Sequence, residues 1–75
     1  ERAVILPQIQ DACQDCPQFS HIEDFRLHYL GGYIEIEIII KIEKLDEILK
    51  QQLQQAYETA LQPIHIINKV VILYK

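Results

Sequence analysis

From Tyr33 to Glu43 the chain alternates between apolar and polar residues almost without a break. Ile34, Ile36, Ile38, Ile40 and Ile42 fall on one side, and Tyr33, Glu35, Glu37, Lys41 and Glu43 on the other. A period of two predicts a strand with one buried and one wet face. The stretch from His21 to Leu30 predicts a second strand, and Gly31-Gly32 between them reads as a two-residue turn. With that turn, cross-strand partners have residue numbers that sum to 63. This register sets Phe25 against Ile38, Leu27 against Ile36 and Tyr29 against Ile34 on the apolar face. On the other face it sets Arg26 against Glu37 and His28 against Glu35, both complementary pairs. A slip of one residue would bury the charges, so the register is well specified.

Helical periodicity flanks the hairpin. Pro7 suits the first turn of a helix, where its missing N–H costs nothing. Ile5, Ile9, Ala12, Cys13 and Cys16 share one stripe, and Pro17 stops the helix. Asp46 caps a second helix, with Glu47 at the positive end of its dipole. Leu45, Leu49, Leu53, Ala56 and Ala60 form its stripe, widened by Ile48, Tyr57 and Leu61. Gln51, Gln52, Gln54 and Gln55 read as its solvated face, and Pro63 ends it. The β-branched run after Pro63 predicts a last strand around Val70–Tyr74, while Ile64 to Ile67 could pair or loop. The order is α-β-β-α-β, in which both helices can cover the isoleucine face of a three-stranded sheet. The opposite face keeps Glu35, Glu37, Ile39 and Lys41, with two or three aliphatic residues from the last strand. A face so apolar calls for a cover or a partner.

Composition narrows the function classes. Seventy-five residues make a single domain, 1–75, with a core near the lower size limit, so self-association is an early expectation. A net charge of −4 and scattered basic residues argue against nucleic acid and against a polybasic membrane patch. No apolar run approaches the roughly 20 residues that span a bilayer. The chain opens without Met inside a helix-like pattern, which suits a domain excised from a longer protein.

Candidate chemistry is sparse. Cys13-Gln14-Asp15-Cys16 is a C-x-x-C that closes a helix, where the dipole raises a thiol pKa; redox catalysis needs the opposite end. Structural zinc usually needs a second ligand pair, which is lacking downstream, although a mixed site with His21 stays open. His21 with Glu23 and Asp24 is the densest group of potential ligands for a divalent ion. Ser20 has no nucleophile elbow around it, and both glycines serve the turn, so an enzyme is not expected.

The stretch from Glu23 to Glu37, with Asp24-Phe25-Arg26, the glycine turn and the alternating strand, resembles the first hairpin of the cytoplasmic C-terminal domain of cation diffusion facilitator transporters. The element order extends the resemblance over the whole chain. It implies an α+β, ferredoxin-like or metallochaperone-like domain that forms a homodimer beneath the transmembrane part of a proton-coupled divalent-metal exporter. The domain would lie on the cytoplasmic side without entering the membrane and would bind zinc or a related ion near its interface. Glu23 and Glu37 stand where the family's hairpin commonly carries ligand histidines, and the last strand lacks the expected His and acid. Two expectations follow: a metal-free structural clamp, or a relocated ligand set drawn from Cys13, Cys16, His21, Glu23, Glu37 and His65. A soluble metal or redox module built on Cys13 and Cys16, and a metal-free ferredoxin-like interaction domain, are the competing readings.

Overall fold

The computed structural model describes residues 2–75. Helix α1 spans Arg2–Cys13, strands β1 and β2 span Ile22–Leu30 and Tyr33–Ile40, helix α2 spans Glu47–Leu61, and strand β3 spans Ile67–Tyr74. A 3-10 turn, Phe19–His21, leads into β1. The sheet order is β1-β2-β3, with β1 antiparallel and β3 parallel to β2. The isoleucine-rich strand is therefore the central one.

The hairpin follows the expected register from Phe25↔Ile38 to Leu30↔Tyr33. Gly31 has φ +63° whereas Gly32 does not adopt positive φ, so only the first turn position needs glycine. Beyond Asp24↔Ile39 the register shifts by one, and Ile22 meets Ile40. Glu23 is the extra residue of a bulge, which turns Ile22 onto the core face where strict alternation would expose it.

Ile36, Ile38 and Ile40 are wholly buried beneath both helices. Ile9 and Cys13 of α1 join Leu53, Tyr57 and Leu61 of α2 in that core, together with Phe25 and Ile72. Asp46 caps α2 as expected, its carboxylate accepting from Leu49 N–H at 2.8 Å. The phenol of Tyr57 donates to the carbonyl of Pro17 at 2.9 Å, tying the segment after α1 to α2.

Five expectations need correction. Pro7 lies inside α1 rather than in its first turn, because one missing N–H does not outweigh the packing of the stripe around it. Cys16 is beyond the helix, which ends at Cys13 and passes into a turn closed by Cys16 N–H to the Cys13 carbonyl at 2.9 Å. Ile48 does not widen the buried stripe of α2 and is 68% exposed. Gln54 is more than solvated surface: its amide donates to the Val70 carbonyl on the outer edge of β3, at 2.8 Å, and to Glu58 at 2.9 Å. The last strand also starts earlier than Val70, at Ile67, with a register irregularity between Ile34 and Glu35.

Candidate functional site

With both helices on one side, the other face of the sheet is left bare. Its charged half comes from Asp24, Arg26 and His28 of β1 and from Glu35 and Glu37 of β2. Its apolar half comes from Ile39 together with Val71 and Leu73 of β3, which stand level with Glu37 and Ile39. Ile39 is only 6% exposed, flanked by Asp24 and Leu73, whereas Leu73 is 41% exposed. Leu30 and Tyr33 extend the exposed surface at the hairpin tip. An aliphatic patch on the β3 side, bordered by both signs of charge on the β1 side, has the composition of a protein interface.

Ion pairing on this face departs from the direct cross-strand pairs. Arg26 stands opposite Glu37 in the backbone register, yet its guanidinium approaches Asp24 two residues away, at 3.8 Å. Glu37 instead meets His28 diagonally, Oε1 to Nε2 at 3.2 Å. Diagonal neighbours are within reach of long side chains, so the register fixes which groups are close but not which of them bond. Glu23, at the bulge, accepts from Lys75 Nζ at 2.8 Å. That hydrogen bond is the main reason its carboxyl is held below the usual range; Lys75 and Lys41 add charge attraction, and partial burial opposes them.

The residues singled out as potential metal ligands are dispersed. His21 ends the 3-10 turn, in a shallow recess with Gln18, Lys41 and Glu43. His65 lies in the loop after α2, on the rim of a groove shared with Glu58, Gln62 and Lys69. Glu23 borders a third recess with Leu6, Phe19 and Phe25. Cys13 and Cys16 sit together at the end of α1, away from the bare face. Among the described residues, no three His, Cys, Asp or Glu side chains come together as a group able to hold a metal ion. Borderline ions such as zinc take four ligands in structural sites, so the donors within one protomer do not fit an intact site.

The cysteines are free thiols. Cys13 is fully buried, and burial, reinforced by Cys16, pushes its pKa from 9.0 to about 12. Cys16 is half-buried, and its Sγ is 3.7 Å from the Ala56 carbonyl oxygen. Its pKa is raised chiefly by burial and also by Asp15, while a hydrogen bond with Cys13 lowers it. A raised thiol pKa suppresses the thiolate that nucleophilic chemistry requires. For Cys13 the largest cause is desolvation by burial.

The α-β-β-α-β order, with a mixed three-stranded sheet and both helices on one face, defines a two-layer ferredoxin-like domain. No protein-family model matches the chain, and no curated protein matches it by sequence. Solved structures of the MamM C-terminal domain share its fold from end to end. A manganese form of one variant has a TM-score of 0.75 at 16% identity, covering 100% of this chain and 98% of that one. Another MamM variant has a TM-score of 0.77 at 16% identity, with 100% and 95% coverage. A cadmium form of a third variant has a TM-score of 0.76 at 17% identity, with 100% and 96% coverage. At such identities the likeness is one of fold.

Proposed function

We propose that this chain is the C-terminal regulatory domain of a cation diffusion facilitator and that it works as a homodimer. The observation that carries the reading is the bare sheet face: Ile39, Val71 and Leu73 form its apolar half, on a chain that has the MamM C-terminal fold from one end to the other. A small domain gains much of its stability by burying such a face against a second copy. The role agrees with a domain on the cytoplasmic side, fused to the membrane part of a divalent-metal exporter. The same polypeptide should then carry several apolar spans upstream of Glu1.

Manganese, cadmium and nickel forms of MamM domains point to divalent ions as the regulatory ligands. In this chain the carboxylates that stand at the family's ligand positions already have cationic or imidazole partners, Glu23 with Lys75 and Glu37 with His28. This favours a clamp that pairs without metal at the usual positions. A relocated set using Cys13, Cys16, His21, Glu23, Glu37 or His65 would have to recruit ligands from two copies.

Light scattering across micromolar concentrations tests the reading. A dimer is expected, and Val71→Glu or Leu73→Glu should yield a folded monomer, because a carboxylate on that patch would be buried unpaired in the pair. A wild-type chain that stays monomeric at high micromolar concentration overturns the proposal. Thermal unfolding with zinc, manganese or cadmium separates the two metal readings, since an ion that binds only the folded state must raise its stability. The clamp predicts no shift.

A further inference from the structure

Cys13 and Cys16 have no part in the bare face, and their placement supports chemistry of its own. The hydrogen bond from Cys16 N–H to the Cys13 carbonyl closes a four-residue turn. Such a turn brings its end Cα atoms within about 7 Å, the range that a disulfide can bridge. Both side chains lie against the same core cluster, Cys13 within it and Cys16 packed on it. Access is unequal: Cys13 is 0% exposed, whereas Cys16 is open on one side. We propose that Cys13 and Cys16 form a reversible intramolecular disulfide through exchange with a low-molecular-weight disulfide, with Cys16 as the entry thiol.

The reaction has two exchange steps. Both thiols hold their protons tightly, so exchange is slow at neutral pH and quickens as pH rises. In its thiolate form Cys16 attacks one sulfur of the small disulfide, giving a Cys16 mixed disulfide and releasing one small thiolate. Cys13 then loses its proton and attacks the Cys16 sulfur, forming the Cys13–Cys16 bond and releasing the second thiolate. The two thiolates take up the two protons. Two protein thiols are oxidised and one small disulfide is reduced to two thiols.

Electrostatics favours this product over a metal complex. The site lies at the carbonyl end of α1, with the Ala56 carbonyl oxygen beside Cys16 and Asp15 next to it in sequence. A dithiolate complex of a monovalent soft ion would keep a negative charge there, whereas a disulfide is neutral. Oxidation should draw the Cys16 sulfur away from Ala56 and fix the turn between α1 and the segment held by Tyr57.

The experiment equilibrates the protein in glutathione buffers of graded ratio, traps free thiols with iodoacetamide and measures intact mass and oligomeric state. The expected product is a monomer-linked disulfide that has lost two hydrogens and blocks both alkylations. In the reduced protein, Cys16 should be alkylated at least about tenfold faster than Cys13, in keeping with its exposure. Cys13→Ala should accumulate a stable glutathione adduct on Cys16, and Cys16→Ala should resist modification while folded. Should Cys13→Ala fail to fold, the wild-type alkylation order still decides the entry thiol. Two free thiols in the most oxidising buffer, a disulfide between copies, or faster alkylation of Cys13 overturns the proposal. This outcome is independent of whether the domain pairs through its bare face.

Discussion

At the scale of single residues, burial sets the chemistry. Cys13 keeps its proton because the thiolate would lose its hydration in the core, and Tyr57 is raised for the same first reason. A group that is more acidic unfolded than folded stabilises the fold fully below its unfolded pKa and loses that contribution as pH rises toward its folded value. The alkaline limb of stability should therefore fall between about pH 9 and about 12, the interval set by Cys13, with Tyr57 acting in the same direction. Cys13→Ala, followed by denaturant unfolding across that interval, should show a shallower decline than the wild type; an unchanged slope would remove Cys13 as the cause. Glu23 has the opposite sign: Lys75 lowers its pKa, so its contribution is present above the carboxylate range and fades as acid protonates it.

At the scale of elements, the hairpin was legible because two signals agreed. The Gly-Gly turn set a residue-number sum, and that same sum placed Phe25 and Leu27 against isoleucines. The bulge at Glu23 was not read from the chain, because an apolar Ile22 of the wrong parity is equally compatible with an exposed strand end. Diagonal pairing of His28 with Glu37 left no mark either, since side-chain reach over a twisted sheet is not a property of spacing. Nor did the anchoring of Gln54 on Val70, which depends on where β3 docks against α2. The turn gives an asymmetric prediction. Gly31→Ala should cost about 1 kcal/mol, because its positive φ crowds a Cβ. Gly32→Ala should be nearly neutral, with no atom within 4 Å of an added Cβ and no positive φ. Equal losses at both positions in denaturant titrations would show that the turn has another geometry.

At the scale of the molecule, one sheet has two unlike faces: its isoleucine face makes the core, and its other face, bare of helices, is the one proposed to pair. The bare face was foreseeable from alternation alone, because Glu35, Glu37 and Ile39 had to point away from the helices. Its β3 half required knowing that the last strand lies parallel beside β2 and brings Val71 and Leu73 level with Glu37 and Ile39. The dispersal of His21, His65 and the cysteines could not be read from composition, since nearness in the chain does not determine nearness in the fold. The parallel seam also dictates an order of assembly. β1 and β2 meet across a two-residue turn, but β3 can reach β2 only after the whole of α2 has been traversed. Closing that long loop defers its reward, so the hairpin should form early and β3 should dock last. In stopped-flow kinetics, Gly31→Ala should then mainly slow refolding, while Ile72→Val should mainly hasten unfolding; the reverse pattern would mean that the seam, and not the hairpin, nucleates the domain.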